Sequence, residues 1–144
     1  MPLEVSEIRR RLRASIESAK RDAQERRGRS DQAAREYEQF LRERAVPVFQ
    51  TLASALVAEG HRFKVFTPAD SVRLASDANG EDYIELTLDA TSDPPVVVGR
   101  TSRGRGRRQI TSDRPVKQDI PIEQLTDEDV LTFILAELTP FLER

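Results

Sequence analysis

The chain of 144 residues contains no cysteine, no tryptophan, one methionine and one histidine. The absence of cysteine excludes a disulfide framework and a thiolate zinc site, and it suits a reducing compartment, so we expect a cytoplasmic protein. The single histidine, His61, excludes a metal site built from several histidines. Apolar runs fall short of the roughly 18 residues that a membrane span needs, and the first residues lack the apolar core of a signal peptide. We therefore expect no membrane contact.

Charged residues make up 33% of the chain and aromatic residues 6%, but the apolar residues recur periodically, which argues against disorder. The length suits one ordinary domain. We predict an N-terminal helical extension over residues 1–59 and an α+β domain over residues 60–144.

The N-terminal region begins with a narrow apolar stripe whose members recur every three or four residues among many charged ones. The stripe consists of Val5, Ile8, Leu12, Ile16, Ala19 and Ala23. Because so narrow a stripe does not stabilise a lone helix in water, we expect Val5, Ile8, Leu12 and Ile16 to form an oligomer interface. A strict heptad repeat fails, since Ser15 and Asp22 occupy core positions. This favours a short helical hairpin or bundle over a long rod.

Two interruptions of the helical region are predicted. Gly28 costs about 1 kcal/mol relative to alanine inside a helix, and Ser30 is a good N-cap, so a second helix is expected to start there. Pro47 predicts a kink or a fresh start near Val46. The region is therefore either a hairpin or a kinked long helix, which ends at Gly60.

The middle of the chain has the two-residue alternation of β-strands. It is clearest over Tyr83–Asp89, and the Asn79-Gly80 pair before it predicts a turn. Pro94 and Pro95 are expected to prevent a direct hairpin and to impose an extended crossing before Val96. We predict an antiparallel sheet of four to five strands.

The last segment of the chain is predicted to form a helix that packs on this sheet. Thr126 is its expected N-cap, and Asp127, Glu128 and Asp129 complement the helix dipole in its first turn. The residues from Val130 to Leu142 are apolar over most of the circumference, which indicates burial on more than one side. The predicted fold class is α+β.

Charge is distributed unevenly towards the C-terminus. Residues 100–117 carry seven basic residues and one acid, whereas residues 119–144 carry seven acids and one arginine. The two segments either neutralise each other or leave an exposed anion-binding patch on the hairpin. The candidate binding residues are Arg100, Arg103, Arg105, Arg107 and Arg108.

Other candidate motifs have simpler explanations. His61 follows a helix end, where a cation is favoured. The loop from Asp77 to Asp82 has the wrong spacing for a calcium loop, and Gly104 with Gly106 lacks the third glycine of a nucleotide-binding turn. No cofactor, metal site or catalytic group is predicted.

These observations favour a non-enzymatic interaction or adaptor protein. We expect it to form a homo-oligomer through its N-terminal helices and to present its charged sheet and arginine-rich hairpin to a protein partner. The alternative function is nucleic-acid or other polyanion binding through Arg100–Arg108, mainly by contacts to phosphates.

Overall fold

Five antiparallel strands form one sheet, and a long bent helix and a C-terminal helix pack against it in a computed structural model that describes residues 2–143. The α+β fold predicted from the sequence is confirmed. The helices are α1 (Val5–Phe40), α2 (Val46–Ala58) and α3 (Asp127–Leu142). The strands are β1 (Phe63–Phe66), β2 (Val72–Ser76), β3 (Tyr83–Asp89), β4 (Val96–Arg105) and β5 (Arg108–Pro115).

The predicted break at Gly28 is wrong, because α1 runs through it without interruption to Phe40. Ending a helix leaves four N–H and four C=O groups without intrahelical partners, whereas one glycine costs only about 1 kcal/mol. The N-terminal region is therefore the kinked long helix and not the hairpin. The division between residues 1–59 and 60–144 stays a prediction.

The interruption expected at Pro47 is confirmed. A π-helical turn over Leu41–Ala45 separates α1 from α2, and Pro47 lies in the first turn of α2. Proline has no N–H group and its ring crowds the preceding turn, so a wider turn immediately before it relieves the conflict. The backbone angles of Phe40 and Val46, at the two ends of this turn, are helical, so the chain stays helical from α1 into α2.

The strands follow each other in space in their sequence order, β1-β2-β3-β4-β5. The expectation that Pro94 and Pro95 prevent a direct connection between neighbours is wrong, because β3 and β4 pair over seven residues. Both prolines precede the first residue of β4, so neither removes a ladder hydrogen bond. Strands β1 and β5 form the two edges of the sheet.

The core lies between one face of the sheet and the helices. Phe49 of α2 is fully buried, as are Leu74 and Ile84 of the sheet and Ile134 of α3. Gly99 of β4 lies against the ring of Phe133, so closely that a Cβ added to this glycine would be 2.2 Å from two ring carbons. The C-terminal helix therefore packs across the sheet, as predicted.

The ends of these elements are fixed by specific hydrogen bonds. The Thr126 hydroxyl accepts from the N–H of Asp129 at 3.1 Å, and the Asp129 carboxylate accepts from the N–H of Thr126 at 3.0 Å. This reciprocal capping box confirms the predicted start of α3. The buried Tyr37 donates its hydroxyl to the carbonyl of Asp70 at 2.5 Å, and burial raises the pKa of Tyr37. This bond fixes the second half of α1 to the entry of β2.

Candidate interaction surfaces

The N-terminal arm, which we define as residues 5–29 of α1, projects from the rest of the protein. No residue of this arm is buried, whereas Ala33, Tyr37 and Phe40 further along the same helix belong to the core. At 1.5 Å per residue the arm is about 36 Å long. Its end is fixed by Arg29, which donates to both carboxylate oxygens of Asp93, at 3.0 and 2.9 Å. This bond lowers the pKa of Asp93.

The predicted oligomer interface lies on this arm and faces solvent. The exposed fractions of its residues are 72% for Val5, 49% for Ile8, 56% for Leu12 and 44% for Ile16. The structure thus brings the four residues together on one helix face and covers none of them with the sheet of their own chain. An exposed apolar stripe of this length is a candidate protein interface.

The outer face of the sheet carries a row of alternating charges at its centre. The register aligns Arg73, Glu85, Arg100 and Asp113 on successive strands. Arg73 donates to Glu85 at 2.6 Å, and Arg100 donates to both oxygens of Asp113 at 2.8 and 3.1 Å. The latter bond lowers the pKa of Asp113 and raises that of Arg100. This row is charge-balanced, and Arg100 belongs to it.

The four other arginines predicted to bind an anion lie at the far end of the β4–β5 hairpin. Arg103 is half-buried, whereas Arg105, Arg107 and Arg108 are exposed. Arg105 lies directly opposite Arg108, and like charges in that position destabilise a sheet. Within residues 2–143 none of the four forms an ion pair. They form a single patch, the hairpin arginines, separated from Arg100.

The acidic C-terminal segment neutralises the basic residues at the base of the β4–β5 hairpin, away from its tip. Arg114 forms an ion pair with Glu137, and Lys117 lies 3.1 Å from Asp129. The Glu137 carboxylate also accepts from the hydroxyl of Thr101 at 3.0 Å. The base of the hairpin is thus paired with α3, whereas the arginines of its tip form no ion pair within the described chain. Anion binding by the tip stays a prediction.

The remaining candidate motifs have structural partners. His61 follows Gly60, whose φ of 88° ends α2, and its N–H donates to the carbonyl of Leu56 at 2.8 Å. Asn79 and Glu81 of the acidic loop lie against Gly104 of β4. Within residues 2–143 no three histidine, aspartate or glutamate side chains are grouped as a metal site would require. In the same part of the chain, every helix lacks the length or the apolar content that crossing a bilayer requires.

Two further surfaces were not identified from the sequence. A groove of about 980 Å³ separates the end of the arm from the segments around Pro94 and Pro115, with Ala33 and Ile122 at its base. The second surface is the free edge of β1 beside α2, where Val57 and Phe66 are exposed. For the groove, the cluster of prolines was a signal in the sequence. The position of β1 at an edge has no sequence signal, because strand order is decided by the whole sheet.

Comparison with known proteins adds no family assignment. The chain matches no protein-family model, and searches of curated proteins and of solved structures find nothing similar to it.

Proposed function

We propose that this protein is a non-enzymatic interaction protein whose N-terminal arms pair to form a homodimer, and which presents its charged sheet and hairpin arginines to a partner. The observation that carries the proposal is the exposed apolar stripe on a helix that extends about 36 Å beyond its own core. An isolated amphipathic helix is marginally stable in water, so a long exposed arm gains most from a second helix on its apolar face.

The spacing of the stripe supports helix pairing although it violates a heptad. Val5 and Ile16 are eleven residues apart, and so are Ile8 and Ala19, and Leu12 and Ala23. An eleven-residue repeat corresponds to 3.67 residues per turn, which keeps the stripe on one face of a nearly straight helix. Ser15 and Asp22 then flank the contact and need not be apolar.

The charges that flank the stripe support a parallel arrangement. In parallel pairs, flanking side chains meet residues about five positions further along the other helix, which would bring Glu4 close to Arg9 of the partner subunit. An antiparallel pair that places Val5 opposite Ala23 would instead bring Arg9 close to Lys20 of the partner subunit. Like charges in such positions are unfavourable, so the parallel pair is preferred.

Sedimentation velocity tests the assembly. The wild-type chain is expected to sediment as a dimer, with twice the 16.3 kDa chain mass. Replacing Leu12 and Ile16 with glutamate should yield a monomer, because four carboxylates would enter the apolar contact. The matched control replaces the exposed Ala14 and Ser18 on the opposite side of the arm with glutamate and should remain dimeric. A monomeric wild-type protein would refute the proposal.

The absence of cysteine permits a direct test of orientation. An Ile8→Cys variant is expected to form an intersubunit disulfide under mild oxidation, since a parallel two-fold pair brings identical stripe positions together. Cross-linking that requires Ile8→Cys in one chain and Ala19→Cys in the other would indicate the antiparallel pair.

A second candidate function, polyanion binding, is favoured by the hairpin arginines. The four guanidinium groups have no ion pair in residues 2–143 and are suited to bidentate contacts with phosphates. Arg105 and Arg108 lie directly opposite each other, where a bound anion would relieve the repulsion of like charges. Gly106, whose φ is 60°, lies in the turn between Arg105 and Arg108. Contacts of this kind would recognise the backbone of a nucleic acid and not its bases.

Replacing Arg103, Arg105, Arg107 and Arg108 with serine is expected to abolish retention on heparin and on nucleic acid. The slope of log affinity against log salt should fall by about 3 to 4, since each lost phosphate contact contributes about 0.9. The control replaces four of the eight arginines of the arm, Arg10, Arg11, Arg13 and Arg21, and so changes the net charge equally. An equal loss of retention in both variants would mean that net charge alone is responsible.

A further inference from the structure

Strand β1 has hydrogen-bonding groups that its own sheet does not use. The N–H of Asp77 donates to the carbonyl of Arg62 at 3.0 Å, which makes these two residues a hydrogen-bonded pair between β2 and β1. Hydrogen-bonded positions alternate along antiparallel strands, so Lys64 and Phe66 also bond to β2. The N–H and C=O groups of Phe63 and Val65 therefore point away from β2, toward the free edge.

No group within residues 2–143 hydrogen-bonds to these four backbone groups at the free edge. Two donors and two acceptors, spaced as in a strand, are the template that an added strand requires. The pairing would extend the sheet from five strands to six.

A groove runs beside this edge. Its walls are β1 on one side and, on the other, the last turns of α2 with Ala53, Ser54 and Val57, and this open groove has a volume of about 500 Å³. Val57 is 52% exposed, and Val65, which shares the inner face of β1 with Phe63, is half-buried. These apolar side chains are in place to receive the side chains of a strand that pairs with β1.

The charges beside the edge restrict the partner. Arg62 and Lys64 lie on the outer side of β1, and Arg62 has no ion pair in residues 2–143. Lys64 lies 3.1 Å from Asp77 but is still 63% exposed. Side chains directly opposite each other in a sheet share a face, so residues opposite Arg62 and Lys64 are favoured when acidic.

We propose that the free edge of β1 is a binding site for an extended peptide of a partner protein, in which apolar and acidic residues alternate. Apolar residues opposite Phe63 and Val65 face Val57 of α2, and acidic residues opposite Arg62 and Lys64 lie on the outer face. The main-chain bonds contribute affinity, and the alternate side chains select the sequence. This site is separate from the arm and from the hairpin arginines.

A second copy of the chain is a poorer occupant of the same edge. Antiparallel pairing of two β1 strands centred on Lys64 would place the two lysines directly opposite each other, which is unfavourable. The strand is also only four residues long, and short strands with lysine disfavour self-association. A heterologous acidic strand removes the charge conflict.

Fluorescence anisotropy with a labelled peptide tests the proposal. The probe is Gly-Ser-Val-Ile-Glu-Val-Glu-Ser-Gly, whose five central residues would pair antiparallel with Phe66 to Arg62. Saturable binding by the wild-type chain is expected, and the peptide with lysine in place of both glutamates should bind at least tenfold more weakly. A peptide with proline in place of the second valine, which loses one of the main-chain donors, should also bind at least tenfold more weakly.

Three variants connect binding to the edge. Val57→Asp places a charge in the groove and should lower affinity at least tenfold, whereas Leu135→Asp, at an equally exposed apolar position of α3, should not change it. Val65→Pro removes an outward N–H and leaves the bonds of Lys64 and Phe66 to β2, so it should also lower affinity at least tenfold. Arg62→Glu should weaken binding of the acidic peptide and strengthen binding of the lysine peptide severalfold.

The following results would overturn the proposal: no saturable binding by the wild-type chain, wild-type affinity in Val57→Asp, or equal binding of the acidic and lysine peptides. Val57→Asp decides the outcome if thermal melts show that Val65→Pro does not fold. A wild-type dimer that Val65→Pro converts to a monomer would assign the edge to a second copy instead. The variant with Leu12 and Ile16 replaced by glutamate should still bind the peptide, so failure of the arm proposal and failure of this one are distinguishable.

Discussion

Replacing Gly99 with alanine is expected to lower the free energy of unfolding by about 2 to 3 kcal/mol, because the new methyl group would overlap the ring of Phe133. The overlap is with a buried aromatic side chain that is 7% exposed, so neither partner can move into solvent. Arg114 lies over the same ring, 5.8 Å from its centre. Chemical denaturation monitored by far-UV circular dichroism measures the loss.

A double-mutant cycle assigns this loss to the contact. In a Phe133→Ala background, itself destabilised by about 3 to 5 kcal/mol, the alanine at position 99 should cost close to nothing, since the ring it would meet is absent. The control is Gly28→Ala in α1, where nothing lies within 4 Å of a new Cβ. That substitution should stabilise the protein by about 0.5 to 1 kcal/mol. Additive effects of Gly99→Ala and Phe133→Ala would contradict the proposed packing.

Replacing Phe49 with alanine is expected to destabilise the protein by about 3 to 5 kcal/mol, because this side chain of α2 is fully buried between the sheet and the other helices. For a domain of this size the midpoint of thermal unfolding should fall by roughly 10 to 20 °C. Differential scanning calorimetry measures both quantities.

Leu135→Ala provides the comparison for Phe49→Ala. Leu135 lies on α3 and is 49% exposed. Its truncation to alanine should lower the free energy of unfolding by about 0.5 kcal/mol or less. Similar losses in the two variants would mean that the face of α2 that carries Phe49 is not part of the core.

Most of the fold could be predicted because it depends on local periodicity. The alternation of Tyr83–Asp89, the turn at Asn79 and Gly80, and the cap at Thr126 all have counterparts in the structure. The prediction at Gly28 was wrong because a residue's propensity is a small term, which the hydrogen bonds of an uninterrupted helix outweigh. The prediction at Pro94 and Pro95 was wrong because prolines interfere with a ladder only from inside it.

The candidate binding residues were predicted less completely. The turn between Arg105 and Arg108 fixes the register of the hairpin, and this register places Arg100 opposite Asp113. The position of this turn was present as a signal in the sequence, and the register that follows from it separates Arg100 from the other four arginines. The pairing of Arg114 with Glu137 had no such signal, since the two residues belong to elements that meet only in the folded core.

The sequence by itself determined the helical and strand segments, the apolar stripe of the arm and the clustering of arginines. Each of these depends on spacings of a few residues and on the fixed geometry of helix and strand. The tertiary structure decided which arginines are neutralised, that β1 forms one of the two edges of the sheet and that Ile8, Leu12 and Ile16 are left uncovered. These properties depend on which distant segments pack together, and packing of distant segments is a property of the whole chain that no local pattern records.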